Sequence, residues 1–249
     1  MPDELRDIRR EARELLRTAS VSPLRFTLFF LAVSAVLDLV ATGVGSYVPD
    51  PAASLPFSFV RILTALLGTV FSAGYVCYCL GVACRGESMP YRALFDALPF
   101  AGKVVLLNLL RGALIGLGLS VLVVPGVVLG FCYLFAQFIL CENPELGVAE
   151  AMRRSRREMR GRKWSAFLLL SSFWPLAMAL AGILLLCERV LTQLLPNTLA
   201  GNLLFTLISD VAIAVPMAYL LPWLELSLTI FFRRARESAR EEETWGPEV

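Results

Sequence analysis

Five charged residues stand inside long apolar runs of this 249-residue chain, and their side chains have the clearest chemical potential. They are Asp38, Arg61, Arg111, Asp210 and Glu225. A charge at the centre of a bilayer costs about 2.5–3.5 kcal/mol on insertion scales, so such residues usually face a partner charge or a water-filled path. Two interpretations are therefore open. The charges pair to hold a helix bundle together, or they line a path for ions, protons or a substrate.

The positions of these charges along their runs predict which of them meet. Arg111 and Glu225 each lie about 12 Å, measured along a helix, from the basic residue that bounds the run on one side. We expect these two residues to contact each other directly or through water. Asp38 and Asp210 fall in the other half of their runs. Arg61 could reach either aspartate or extend its guanidinium to water.

Little in the sequence supports catalysis. Histidine is absent, which removes every mechanism that uses imidazole as a base or metal ligand. None of the cysteines forms a CxxC pair, so we interpret them as free thiols packed like small apolar side chains. They are Cys77, Cys79, Cys84, Cys132, Cys141 and Cys187. We expect a non-enzymatic protein without catalytic residues, cofactor or metal.

The composition indicates an integral membrane protein. Hydrophobic residues make up 57% and charged residues 18% of the chain. Soluble domains have about 45–50% apolar and roughly 25% charged residues. Mean hydropathy is +0.68. We therefore predict an all-α fold, with residues 1–249 forming one membrane domain of about six transmembrane helices and short amphipathic cytoplasmic helices.

A membrane crossing requires about 20 apolar residues, and six apolar runs are near or above this length. The predicted spans are 26–48, 57–83, 104–124, 127–141, 165–186 and 202–232. The run 127–141 is short, and we place a tight hairpin turn at Pro125 and Gly126 before it. The run 202–232 is too long for one straight crossing and contains Pro216 and Pro222. It must tilt, kink at the prolines, or continue beyond the membrane.

Basic residues set the expected orientation, because Lys and Arg near span ends stay in the cytoplasm. Twenty of the 23 Lys and Arg lie in four segments: 1–25, 84–103, 142–163 and the charged tail 233–249. Six spans place all four segments on one side. We therefore expect both termini in the cytoplasm, with the loops 49–56 and 187–201 outside. No cleavable signal peptide is expected, since the first apolar run is too long and acidic residues precede it.

Two cytoplasmic segments have the pattern of amphipathic helices. Segment 1–25 is one, and 143–163 is a basic helix with a thin apolar stripe. The basic side chains of the second are candidates for contact with the lipid surface: Arg153, Arg154, Arg156, Arg157, Arg160, Arg162 and Lys163. Docking on anionic headgroups, or binding a phosphorylated lipid or a protein partner, are both open. Nucleic acid is not expected, because no aromatic residue is interleaved with the charges.

Several motifs resemble an uncharacterised bacterial family of integral membrane proteins. The resemblance rests on Val124-Pro125-Gly126, Glu142-Asn143-Pro144-Glu145-Leu146, Glu150-Ala151-Met152, Arg154-Ser155, Met159-Arg160-Gly161 and Lys163-Trp164. The family is known as domain of unknown function number nine hundred seventy-five. The resemblance implies a six-helix protein of the bacterial cytoplasmic membrane and supplies no activity. Arg162 stands where a histidine is common in that family.

Together these features predict a protein that acts in envelope organisation or as a partner subunit through its basic, lipid-facing cytoplasmic helix. The partners we expect are membrane lipids with anionic headgroups, together with a protein partner whose identity is open. The alternative function is a small transporter or permease that uses the buried intramembrane charges.

Overall fold

The structure is a computed structural model that describes residues 2–18, 23–46, 55–85, 89–194 and 198–245. Every regular element in these ranges is helical, which confirms the all-α prediction. Parts of several predicted segments lie outside the described residues. These are the end of the first span at 47–48, most of the loop 49–56, residues 195–197 of the second outer loop, and the last four residues of the tail.

Ten α-helices follow one another along the described chain. They are α1 (Pro2–Thr18), α2 (Pro23–Ser46), α3 (Leu55–Leu80), α4 (Ala101–Val121), α5 (Val123–Cys132), α6 (Ala136–Glu142), α7 (Val148–Glu158), α8 (Lys163–Ser171), α9 (Trp174–Leu194) and α10 (Leu199–Trp245). A π-helical turn at Gly81–Arg85 extends α3, and 3-10 turns at Tyr91–Phe95 and Leu98–Phe100 lead into α4.

Five helical stretches are long and apolar enough to cross a membrane. They are Pro23–Ser46, Phe57–Cys84, Tyr91–Ser120, Val123–Glu142 and Leu199–Ser238. A sixth crossing is possible if α8 and the first half of α9, which meet at a bend of 41°, act as one broken span. The described chain therefore has five to six helices of spanning length.

The hairpin between α4 and α5 corrects one sequence prediction. The chain reverses at Leu122, whose backbone is extended (φ −160°, ψ 146°), and not at Pro125-Gly126. Both of those residues lie in the first turn of α5, where the missing N–H of a proline costs no helical hydrogen bond. Gly118 and Gly126 let α4 and α5 touch, because a Cβ on Gly118 would lie 2.8 Å from the Gly126 Cα.

Helix α10 contains the whole of the last apolar run. It is one continuous helix of 47 residues that passes through Pro216 and Pro222. At 1.5 Å per residue it is about 70 Å long, more than twice the hydrocarbon thickness of a bilayer. The helix continues well past residue 232, and a tilt or a kink at the prolines stays a prediction.

The basic segments meet at one end of the molecule, which we call the basic end. Arg233 Nη1 donates to the Ala83 carbonyl (2.8 Å) after α3, and Arg234 Nη2 binds Glu11 of α1 (2.9 Å). Lys103 Nζ donates to the Pro144 carbonyl (2.6 Å) before α7. Contacts therefore join all four basic segments, an arrangement that an even number of crossings produces.

Close packing is concentrated toward this basic end. Fully buried side chains include Ile8 and Ala12 on α1, Leu107 on α4, and Phe232 on α10. At the opposite end, where α2 finishes and α10 begins, large apolar side chains are mostly exposed. In α2, every residue after Thr27 is at least partly exposed. The bundle is thus tight at one end and open at the other.

Candidate functional site

Helix α7 rests on the protein through its apolar side. Ala151, Met152 and Met159 at the end of this helix are buried. The Ser155 hydroxyl, also buried, donates to the Cys132 carbonyl at the end of α5 (2.9 Å). Met152 and Met159 of the apolar stripe predicted for 143–163 therefore pack against the bundle, whereas Ala149 of the same stripe is exposed. The outward side of α7 is mainly basic.

A sharp turn after α7 builds a small basic recess. Gly161 has φ +79°, a left-handed conformation that glycine adopts without the cost of a Cβ. This turn brings the start of α8 back beside the end of α7. The recess has a volume of about 400 Å³ and is lined by Arg156, Arg160, Gly161, Lys163 and Trp164. Three cations and an exposed indole thus surround one cavity, which we call the basic recess.

The seven predicted lipid-surface residues divide into groups. Arg154 Nε binds Glu150 (3.1 Å), as does Arg153 Nη2 (2.9 Å). The hydrogen bond from Arg154, followed by the nearby charge of Arg153, lowers the pKa of the Glu150 carboxyl below its usual value. Arg162 donates to the Ala235 carbonyl. Arg157 is exposed beside the recess, so Arg156, Arg160 and Lys163 are the three that converge.

The remaining charges of the basic end form an arginine cluster at the end of α10. Arg233 binds Glu11, and Arg236 binds Glu142. Partial burial alone would raise the pKa of Glu11, but hydrogen bonds from Arg233 and Arg234 outweigh this effect and hold the pKa below its usual value. These arginines therefore hold α1 and the end of α6 against α10.

Glu158 is the exception at the basic end. Its Oε2 atom is buried without a hydrogen-bond partner among the described residues. Burial raises the pKa of Glu158, and the neighbouring carboxylate of Glu142 adds to this effect against the opposing charge of Arg236.

At the opposite end, α2 and α10 pack side by side through a series of facing polar residues that we call the polar ladder. Asn202 Nδ2 donates to Ser46 Oγ (3.3 Å). The hydroxyls of Thr42 and Thr206 lie 3.2 Å apart. One helical turn further along both helices, Asp38 and Asp210 repel each other electrostatically. The three rungs are spaced by four residues on each helix, which is the repeat of one helix face.

A cavity of about 580 Å³ opens beside the polar ladder. Its lining includes all six ladder residues together with Arg61 from α3. The guanidinium of Arg61 lies 5.8 Å from the ring centroid of Phe57. A neighbouring cavity of about 390 Å³ between α2 and α3 shares Asp38 and Arg61. The structure thus brings three of the five predicted intramembrane charges into one cavity, which we call the ladder cavity.

The other two intramembrane charges form a looser pair. Arg111 on α4 and Glu225 on α10 attract each other electrostatically. Between these two described residues there is no ion pair within 4.0 Å, so of the predicted direct or water-mediated contact the second form stays a prediction. The sequence predicts that Arg111 and Glu225 lie at a similar depth along their helices. The distance between the two side chains depends on how α10 packs in the bundle.

A fourth cavity, of about 420 Å³, is lined by Cys77, Cys84 and Cys141 together with Met89. The Cys141 thiol donates weakly to the Ala73 carbonyl (3.5 Å). All five cysteines whose side chains are described are free. Within the described ranges, no group of three or more His, Cys, Asp or Glu side chains could hold a metal ion.

Sequence reasoning missed the uncharged rungs of the ladder. Thr42 and Ser46 follow Asp38 at intervals of four, and Asn202 and Thr206 precede Asp210 at the same interval. This repeat places each set on one helix face and could have identified two polar stripes. The pairing of the two stripes depends on how α2 meets α10.

These observations define an all-helical protein with five to six helices of membrane-spanning length and charged groups within them. The chain belongs to the family described as Protein of unknown function (DUF975), whose family model matches residues 108–239. The family resemblance in the sequence is therefore confirmed. The match includes α5 to α8 and the basic recess. No solved structure matches the chain.

Proposed function

We propose that this chain is a non-enzymatic integral membrane protein that binds anionic lipid headgroups at its basic end. The observation that carries the proposal is the basic recess, in which Arg156, Arg160 and Lys163 converge beside Trp164. Arginine and lysine are the usual partners of phosphate oxygens. Near an anionic surface each basic residue contributes about 1 kcal/mol of attraction, and tryptophan is enriched at the membrane interface.

The proposal includes an orientation. Twenty of the 23 Lys and Arg fall in segments that meet at the basic end, and positive charge near span ends favours the cytoplasm. We infer that the basic end faces the cytoplasmic leaflet of the bacterial cell membrane, with both termini on that side. A recess at this height would meet lipid headgroups directly. Bound lipid would then fix the protein in envelope organisation or in a complex with a partner protein.

The buried stripe of α7 changes the expected mode of lipid binding. Because Ala151, Met152 and Met159 are packed on the bundle, α7 has no free apolar face to insert between acyl chains. Binding should therefore depend on headgroup charge and weaken with salt. Hydrophobic insertion of α7 would have the opposite signature, with little dependence on salt.

Lipid titration of the detergent-purified protein tests the proposal. Added phosphatidylglycerol should raise the unfolding temperature more than phosphatidylcholine does, because only the first lipid brings a net negative headgroup. The variant Arg156→Gln/Arg160→Gln/Lys163→Gln should lose this difference. A matched control, Arg10→Gln/Arg17→Gln/Arg153→Gln, removes the same charge from the same end but spares the recess. The control should keep most of the lipid effect.

Equal loss in both triple variants would mean that general charge, and not the recess, attracts the lipid. Equal stabilisation of the wild type by both lipids would contradict the proposal outright. Stabilisation by phosphatidylglycerol that persists at high salt would favour insertion of an apolar face.

The ladder cavity favours a second candidate function, a small transporter or permease. Charges from α2, α3 and α10 line this cavity, and Arg111 and Glu225 lie on helices of the same bundle. Vesicles reconstituted with the protein should then show a cation flux that Asp38→Asn/Asp210→Asn abolishes. A flux equal to that of protein-free vesicles would exclude this function.

A further inference from the structure

The polar ladder contains one rung that differs from the other two. Ser46 with Asn202, and Thr42 with Thr206, are neutral pairs that satisfy each other by hydrogen bonds. The same register then brings Asp38 and Asp210 to face each other, although two carboxylates can only accept hydrogen bonds. The series of hydrogen-bonded contacts between α2 and α10 thus ends in a rung where neither ionised side chain can donate a hydrogen bond.

Asp210 lacks a donor at the atomic level as well. Its Oδ2 atom is buried and has no hydrogen-bond partner among the described residues. Asp38 repels it, and Arg61 lines the same cavity without an ion pair to either aspartate in this part of the structure. A buried unsatisfied acceptor costs about 1–3 kcal/mol, and more when it is charged. A positively charged hydrogen-bond donor bound from outside the chain would satisfy this rung in its ionised form.

The ladder cavity has room for such a donor. Its volume of about 580 Å³ lies within the range of small-molecule sites, roughly 300–1,000 Å³, and far exceeds the space of a bare metal ion. Asp38, Asp210 and Arg61 give it a net charge of −1. Hydroxyls of Thr42, Thr206 and Ser209 offer neutral acceptors, while aromatic rings supply apolar walls.

We propose that the ladder cavity binds a small organic solute through a primary ammonium group held between Asp38 and Asp210. The three N–H donors of an ammonium group satisfy both carboxylates and one ladder hydroxyl. The organic body of the solute lies against Phe57 and Phe205, which line the same cavity. This site lies at the opposite end from the basic recess, so it stands whether or not the recess binds lipid. The proposed site is compatible with a receptor and with a transporter.

Calorimetric titration with the diamine putrescine tests the site in the detergent-solubilised full chain. We expect saturable binding to the wild type. Asp210→Asn should weaken it by at least tenfold, and Asp38→Asn/Asp210→Asn should abolish it. Arg61→Gln should strengthen binding several-fold, because it removes the positive charge that opposes a cationic ligand. Glu237→Gln, an exposed carboxylate at the basic end, serves as the control and should bind putrescine like the wild type.

Several results would overturn the proposal. One is the absence of putrescine binding to the wild type. Another is binding that survives the double aspartate variant or weakens in Arg61→Gln. Na⁺ or Ca²⁺ binding that depends on the aspartates, without putrescine binding, would assign the site to inorganic cations instead. Binding of the dianion glutarate in place of putrescine would make Arg61 the determinant.

A second measurement covers the case in which the double variant fails to fold. In a cysteine-free chain, Ala41→Cys places a thiol in the lining of the ladder cavity, one residue from Thr42. Putrescine should slow alkylation of this thiol, and glutarate at the same concentration should leave the rate unchanged. Identical rates with and without putrescine would contradict the site.

Discussion

The two ends of the helix bundle differ in how their charged side chains are paired. At the basic end, Arg233 and Arg234 bind Glu11, and Arg236 binds Glu142, so these charges are used in contacts between helices. At the opposite end, Asp38 and Asp210 face each other beside an open cavity. The basic end is also where close packing concentrates.

This difference separates structural charges from candidate functional charges. A charged group that is satisfied within the chain contributes to stability, whereas one that is left unsatisfied costs stability and is retained for another reason. By this criterion the arginine cluster holds the fold together. The third rung of the ladder and the basic recess, together with the unsatisfied Glu158, are the candidates for a role beyond folding.

The largest expected effect concerns a glycine at the packed end. A Cβ on Gly74 would overlap the backbone carbonyl oxygen of Leu94, whereas a Cβ on Gly68 of the same helix meets nothing within 4 Å. Gly74→Ala should therefore destabilise the protein by about 3 kcal/mol or abolish folded yield, since a backbone clash forces the 3-10 turn away from α3. Gly68→Ala should be neutral. Thermal unfolding in detergent measures both, and equal stability of the two variants would contradict the packing of α3.

The next effect concerns the ion pairs of α1. Glu11→Gln should cost about 1–2 kcal/mol at pH 7, because two charge-assisted hydrogen bonds are lost. Since the folded pKa of Glu11 lies below its ordinary value near 4.5, the stabilisation is present above that value. It is lost as the pH falls through the lower folded pKa. The difference between wild type and Glu11→Gln should therefore disappear in acid, and a pH-independent difference would refute the electrostatic origin.

A smaller effect of opposite sign is expected at Glu158. Its folded pKa is raised, so the charged form is disfavoured and stability falls as the pH rises from the ordinary value near 4.5 through the raised one. Glu158→Gln should raise stability at pH 8 by up to about 1 kcal/mol and leave it unchanged in acid. Denaturation at the two pH values measures this. A loss of stability at pH 8 would indicate that Glu158 has a partner.

The smallest effect belongs to the open end. Thr42→Val/Thr206→Val replaces both members of a hydrogen-bonded rung with apolar groups of the same shape, which is nearly neutral, within about 0.5 kcal/mol. Thr206→Val alone should cost more than the double variant, because it leaves Thr42 without its partner. The Thr206 hydroxyl also donates to the Asn202 carbonyl of its own helix (3.0 Å), so a double variant that is the worse of the two would show that this bond outweighs the rung.

The sequence was informative where a periodic pattern decides the structure. Apolar runs located the spanning helices, and basic segments that are distant in sequence were expected to share one end, where contacts now join them. These features depend on the local repeat of a helix, which a sequence displays directly.

Other features depend on which helix meets which, and there the sequence was insufficient. The sequence predicted the turn at Pro125-Gly126, whereas the chain turns at Leu122. The prediction failed because proline is tolerated in the first turn of a helix as well as in a loop. The stripe around Met152 was interpreted as lipid-facing, although it packs on the bundle. An apolar stripe gives the same pattern against lipid or protein. The facing of Asp38 and Asp210 likewise required the register of α2 against α10.

The arginine cluster also constrains the order of biosynthesis. Its donors Arg233, Arg234 and Arg236 come from the last described helix, whereas their acceptors Glu11, Ala83 and Glu142 are translated much earlier. During synthesis, which proceeds from the N-terminus, these acceptors are made long before the arginines that bind them. The contacts of all three acceptors with the arginine cluster form only once α10 is present. A chain that stops before α10 therefore lacks the contacts that tie its early segments together at the basic end.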